Sequence, residues 1–265
     1  MQKPLDLAPT VTALDDLGAI RLQGAEAVKF LQGQLSNDVT KLSPEQPLLA
    51  GFHNPQGRVI ALLRLASLGA EDMLALLPRE LAAPVAARLG KFILRARVKV
   101  CNDSSRWRVT GIAGEPPPGE LFVRTDLATP RGWLITPTNK SIELAGYSNL
   151  DRESWRALDI AAGIPQVYAA TSEAFVAQML NLDVLGAISF DKGCYTGQEI
   201  IARAHYRGRV KRRMQRFSSH APLQLVPGSS GVLDDGRSYE VVDAARLPDG
   251  HIEFLAVAQV LDASQ

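Results

Sequence analysis

Two apolar runs set close together constrain this chain most. Asn54-Pro55-Gln56-Gly57 has the composition of a tight turn and leads into Arg58-Val59-Ile60-Ala61-Leu62-Leu63-Arg64-Leu65, which reads as a buried strand. Asp72–Leu77 reads as its hairpin partner across Gly69-Ala70-Glu71, and Pro78 stops it. Further strands are expected at Ala19–Leu22, Arg97–Val100, Trp107–Thr110, Leu121–Val123 and Trp133–Ile135, and the tail after Pro227-Gly228 is all-β and small. Helical spacing marks Glu26–Leu35, Glu80–Leu89 and Asp151–Ala162, and Gly163 and Pro165 end the third. Ser172 is expected to cap another helix beginning near Glu173, and Gly197–Ala204 reads as a helix start. This is an α+β pattern of segregated antiparallel strands, not a βαβ alternation. No Gly-x-Gly-x-x-Gly opens a helix and no P-loop exists, which argues against a Rossmann fold.

The 265 residues are enough for one large or a few small domains, and Glu115-Pro116-Pro117-Pro118-Gly119 is the strongest local break. A formal net charge of +1 gives no global field toward nucleic acid or membrane, so any basic binding surface must be local. No run of about 18 apolar residues would span a membrane. The start, Met1–Asp6, lacks the basic-then-apolar pattern of a secretory signal, so the expected compartment is the cytoplasm. Two cysteines, Cys101 and Cys194, are too few for a disulfide framework. An iron-sulfur cluster held by one chain normally takes about four thiolates. The four histidines are widely spaced and none has ligand spacing, so no metal site is expected.

The chemistry concentrates in Lys192-Gly193-Cys194-Tyr195-Thr196-Gly197-Gln198-Glu199. A thiol works as its thiolate, which a helix N-terminus or a neighbouring cation such as Lys192 favours. The competing reading of Cys194 is a buried cysteine acting as a small hydrophobe. Gln198 and Glu199 either decorate the first turn of a helix or recognise a ligand with amide-like edges, such as a pterin. Arg203–Arg216 carries seven Lys and Arg in fourteen residues. It is a solvated face, a nucleic-acid contact with Tyr206 available for stacking, or a site for an anionic small molecule. Trp155 falls on the inner face of its helix, where large aromatics are usually core.

These segments together resemble the YgfZ family of folate-binding proteins, related to the aminomethyltransferase (T-protein) of the glycine cleavage system. The eight-residue motif is the specific match. Gly24–Val39, Asn54–Arg58, Trp155–Pro165 and Phe175–Asp183 are further anchors, in order along the chain. The resemblance implies an aminomethyltransferase-like, ring-like arrangement of antiparallel-sheet subdomains. Residues 1–115 and 116–205 would be two interleaved parts of a folate-binding core, and 206–265 a small C-terminal β-barrel. It implies tetrahydrofolate as cofactor, iron-sulfur client or assembly proteins as partners, a link to tRNA modification, and no membrane. Cys194 would be the working thiol with Lys192 beside it. Trp155, Asn181, Tyr195, Gln198, Glu199 and Arg203 would contact folate. Leu17 falls where some relatives carry a second ligand-facing aromatic. The basic stretch would meet a polyglutamate tail, with tRNA contact through the same stretch as the alternative.

One departure bears on activity. The resemblance implies paired aspartates after the Asn54–Gly57 turn in true aminomethyltransferases, one acting on the folate amine. Here Ala61 and Leu62 follow that turn, and neither can perform acid-base chemistry. The expectation is an accessory protein and not a standard enzyme.

Overall fold

The computed structural model describes residues 9–126, 129–208, 210–221 and 224–261. Arg209 of the basic stretch and the Met1–Asp6 start lie outside the described residues. In chain order the first strands are β1 (Thr10–Ala13), β2 (Leu17–Gln23), β3 (Leu48–His53), β4 (Val59–Gly69), β5 (Asp72–Pro78), β6 (Lys99–Asn102) and β7 (Trp107–Ala113). They are followed by β8 (Leu121–Asp126), β9 (Arg131–Pro137), β10 (Ser148–Asn149), β11 (Arg212–Ser219), β12 (Ser230–Val232), β13 (Ser238–Arg246) and β14 (Ile252–Gln259). The α-helices are α1 (Ala27–Gln32), α2 (Arg79–Gly90), α3 (Arg152–Ala161) and α4 (Gln198–Tyr206). The expected hairpin is β4–β5, with Arg64 opposite Leu76 and Ala66 opposite Leu74. Every β4 residue from Val59 to Ala66 is buried, which is why its apolar run is nearly unbroken.

The chain divides into two compact units, each made of several segments. The first takes residues up to Val28, Lys41–Leu48 and Arg64–Trp155. Within it β5 pairs antiparallel with the second half of β4 and with β2, and β2 pairs antiparallel with β6. α2 packs on β2 and β6 through Leu81, Ala82, Val85, Ala86 and Leu89, the three-and-four spacing of one helix face. A second sheet has the order β10-β1-β7-β9-β8, antiparallel except for β1 beside β10. One apolar cluster takes side chains from both sheets, among them Leu17, Leu74, Leu76, Val109, Trp133 and Trp155. Residue 115 lies in the connection between β7 and β8 of this unit.

The second unit takes Lys29–Thr40, Leu49–Leu63 and the chain from Arg156 onward. Its last strands form an antiparallel sheet of order β11-β14-β13-β12. Tyr239, Val241, Phe254, Ala256 and Ala258 make its apolar face, and Phe217 stacks on Phe254 with centroids 5.4 Å apart. A bulge between Val241 and Asp243 turns Asp243 inward, where it is 2 % exposed. Burial pushes its carboxyl up to about 7, against the Arg156 guanidinium 3.6 Å away, the Tyr168 hydroxyl donating at 3.0 Å and the Ala244 N–H. Residue 205 lies inside α4.

Ser172 does not start an α-helix. Its hydroxyl donates to the Ile60 carbonyl, the Glu173 N–H donates to Val59 O, and the Val59 N–H donates to Phe175 O. Arg58 bridges Val176, and Glu173 takes a φ of 62°. The segment spends its backbone groups on the start of β4, so the local cap signal loses to a long-range pairing. Only a short 3-10 turn follows, Ala177–Leu180.

Candidate functional site

The Lys192–Glu199 motif forms the loop before α4 and the helix's first residues, and three anchors in the second unit hold it. The first is Lys192. Its ammonium donates to the carbonyls of Gln32 at 2.7 Å, Leu35 at 2.6 Å and Asn37 at 2.9 Å. Gln32 ends α1, and carbonyls at a helix end lack intrahelical partners. A lysine has three donors, so the cation is fully used in tying the motif to the α1 end. Burial lowers its pKa to about 8, with the Asp38 charge opposing. It remains an ammonium at neutral pH.

The second anchor is Tyr195, 7 % exposed, with the Lys192 Nζ 5.1 Å from its ring centroid and the His53 ring 6.2 Å away. Burial pushes its phenol up to about 12, so it stays neutral. The third is Gly197, at φ +83°, the cap of α4. A Cβ there would come within 2.6 Å of Asn54 O and 3.0 Å of Gly57 Cα. The position needs glycine for its left-handed backbone and for its approach to the Asn54–Gly57 turn. That turn is organised by Asn54, whose side-chain oxygen accepts from the N–H groups of Gln56 and Arg58, both at 3.0 Å. Its amide also donates to the Glu173 carboxylate.

Between these anchors Cys194 is exposed. A side chain built on neighbouring Gly193 would meet nothing within 4 Å, so the space over the loop is open. The reading of Cys194 as a buried small hydrophobe is therefore excluded. Cys101 is half-buried on β6.

On α4, Glu199 is 84 % exposed and accepts from Arg203 at 3.1 Å, a pair one turn apart. Gln198 is half-buried, and its N–H donates to Tyr195 O. Asn181 has a left-handed φ of 57°. Its amide donates to Met214 O and its oxygen accepts from Arg213, which also makes a two-point pair with Asp183. Asn181 thus joins the turn after the 3-10 segment to β11. Trp155 and Leu17 belong to the first unit and to its apolar cluster, 2 % and 6 % exposed. A Cβ on Gly111 would fall 2.8 Å from the Trp155 indole, and the Arg131 guanidinium lies 5.3 Å from its centroid.

One residue of this neighbourhood escaped sequence reasoning. His53 is 1 % exposed beside Tyr195, and burial lowers its pKa to about 3. An isolated histidine at the end of an apolar strand carries no sequence signal of that contact. Among the described residues no group of three or more His, Cys, Asp and Glu could hold a metal ion, and no helix is long and apolar enough to cross a membrane.

The fold is that of an aminomethyltransferase. It superposes on the glycine cleavage system aminomethyltransferase T of Bartonella henselae with a TM-score of 0.73 at 13 % identity, covering 95 % of this chain and 78 % of that one. The tRNA-modifying protein YgfZ of Escherichia coli O157:H7 (strain EC4115 / EHEC) is 32 % identical over 92 % of this chain and 83 % of its own length. Its counterpart in strain K12 / DH10B is 31 % identical over the same shares. The chain belongs to the YgfZ family. No family model matches it.

Proposed function

We propose that this protein binds tetrahydrofolate and serves the biogenesis or repair of iron-sulfur enzymes, including those that modify tRNA, with Cys194 as its working thiol. The observation that carries the reading is the exposed Cys194 on a loop held from three sides by Lys192, Tyr195 and Gly197. A packing cysteine needs no such mounting. Membership of a family whose curated relatives are named as tRNA-modifying proteins supports the same direction.

The residues of α4 suit a folate. The Glu199 carboxylate can accept two N–H bonds from a pterin edge, the Gln198 amide offers a donor and an acceptor, and Arg203, paired with Glu199, would hold that carboxylate in place beside the ligand. The basic stretch beyond it suits a polyglutamate tail. Folate would supply a one-carbon carrier. Cys194 would handle the one-carbon, sulfur or iron species that passes to the client enzyme. Trp155, Leu17 and Asn181 enter the folate reading through the family resemblance, and their side chains also carry packing, so their replacement is expected to lower stability.

Cys194→Ala should fold as the parent does and fail to restore iron-sulfur enzyme activity in cells lacking the protein. Full restoration by that variant would refute the role of the thiol. The fold likeness favours one other reading, a folate-dependent aminomethyltransferase. Ala61 and Leu62 of β4 are buried and apolar, leaving no acid-base group there. Turnover of an aminomethyl donor with tetrahydrofolate would establish it against that argument.

A further inference from the structure

The C-terminal end of α4 carries a second constellation, in which Gln178 and Tyr206, unused by the folate reading, adjoin part of the basic stretch. A cavity of about 330 Å³ lies against the 3-10 segment, lined by Val176, Gln178, Met179, Ala204, Val210 and Arg212 among others. This is at the small end of the range for ligand pockets, about 300–1,000 Å³. Most of its wall is apolar, but two lining residues have unsatisfied polar atoms. Gln178 is 1 % exposed. Its amide N–H donates to Ile201 O at 2.7 Å, and its Oε1 has no hydrogen-bond partner among the described residues. Arg212 donates from its terminal nitrogen to Val257 O, and its Nε has no partner there either. Folded proteins rarely bury such groups without a partner. Gln178 and Arg212 line one small apolar cavity, and a side-chain rotation that brought these atoms to its wall would offer an acceptor and a donor to a flat ring that carries both, as a nucleobase edge does.

The neighbouring residues of α4 have matching chemistry. Ala204 and Gly208 line the cavity, and between them in sequence come His205 and Tyr206. The Phe190 ring stacks on His205 at 3.8 Å with an interplanar angle of 18°, and Tyr206 meets both rings edge-on. Tyr206 is 67 % exposed, a large aromatic left in water. Arg207 and Lys211 are also exposed and make no ion pair among the described residues. Exposed aromatics interleaved with cations are how proteins bind unpaired nucleic-acid strands, by stacking on bases and neutralising phosphates.

We propose that the C-terminal end of α4 binds single-stranded RNA, one unstacked base entering the Gln178 cavity and another base of the strand stacking on Tyr206, with Arg207 and Lys211 on the phosphates. The reading shares Arg207 and Lys211 with the proposed polyglutamate contact and needs no bound folate, and Gln178 and Tyr206, which folate does not use, separate the two. Anisotropy of a labelled, unstructured 12-nucleotide RNA, titrated with the full chain at several salt concentrations, tests it. A duplex of the same length and free AMP and UMP serve as competitors.

The single strand should bind in preference to the duplex. Tyr206→Ala should weaken binding about tenfold or more. Arg207→Ala with Lys211→Ala should flatten the slope of log K against log salt by roughly 0.7 for each phosphate that is no longer neutralised. Gln178→Leu should abolish competition by mononucleotides. Tyr206, Arg207 and Lys211 are exposed, so these tests stand even if Gln178→Leu does not fold. Equal affinity for duplex, absence of binding at low salt, or indifference to Tyr206→Ala would each overturn the proposal.

Discussion

Replacing Lys192 with methionine separates a positioning role from a merely decorative one. The substitution keeps the apolar stem and removes the ammonium, so the carbonyls of Gln32, Leu35 and Asn37 lose their common donor. A buried acceptor left without a partner costs roughly 1–3 kcal/mol. With water able to reach part of this half-buried site, the low end applies, giving about 3–4 kcal/mol for the three. A gain offsets some of it. Holding the amine at a pKa of about 8 instead of 10.5 costs roughly 3 kcal/mol at full weight. Solvent screening leaves about half of that, and methionine does not incur it. The net loss is about 2 kcal/mol, or about 4–8 °C in Tm for a chain of this size.

Urea titration gives the first number and calorimetry the second. Amide exchange should also quicken around Gln32–Asn37, where the tie is released. The lysine leaves a pH signature with a defined sign. Its folded pKa lies below its unfolded one, so between pH 8 and 10.5 the unfolded chain holds more protons and the wild type gains stability as pH rises. Lys192→Met should lack that gain. A variant with wild-type stability and unchanged exchange would refute the anchoring role.

Other outcomes follow from the same structure. Gly197→Ala must hold a φ of +83° and push against Asn54 O; it should cost about 2 kcal/mol or more by urea titration and disturb the Asn54–Gly57 turn. Asp243 titrates with the opposite sign. Its folded carboxyl sits at about 7, so it favours the fold at low pH and that contribution is lost as pH rises from about 4 to 7. Asp243→Asn should remove that part of the pH profile of stability. Trp155→Ala would empty a core site against Gly111 and should cost roughly 3–5 kcal/mol, so fluorescence work on folate needs the milder Trp155→Phe.

The sequence showed most clearly what is local. The β4–β5 hairpin was visible because β4 is buried at successive positions and β5 follows at once. α3 was visible from apolar spacing and from Gly163, and α4 from the Gln198-Glu199 pair that opens it. The strand character of Arg212–Ser219 was hidden by its charge, because its arginines are absorbed by partners such as Asp183, Glu253 and the Val257 carbonyl. The cap signal at Ser172 was genuine chemistry used elsewhere, on the Ile60 carbonyl. The site was half legible. The motif marked the loop and the thiol, but Lys192 works through carbonyls about 160 residues earlier in the chain, a relation no local pattern records. The approach of Gly197 to Asn54 joined two segments that the sequence had marked separately. Gln178 and His53 gave no signal, since an unsatisfied buried atom is a property of packing.

The proposed function requires folate at the α4 start beside Cys194. Calorimetric titration of tetrahydrofolate into the wild-type chain and into Glu199→Ala tests it most directly. Saturable binding to the wild type, weakened about tenfold or more in the variant, is the predicted result. A cooperatively folded wild type that takes up no tetrahydrofolate, or binding indifferent to Glu199→Ala, would contradict it.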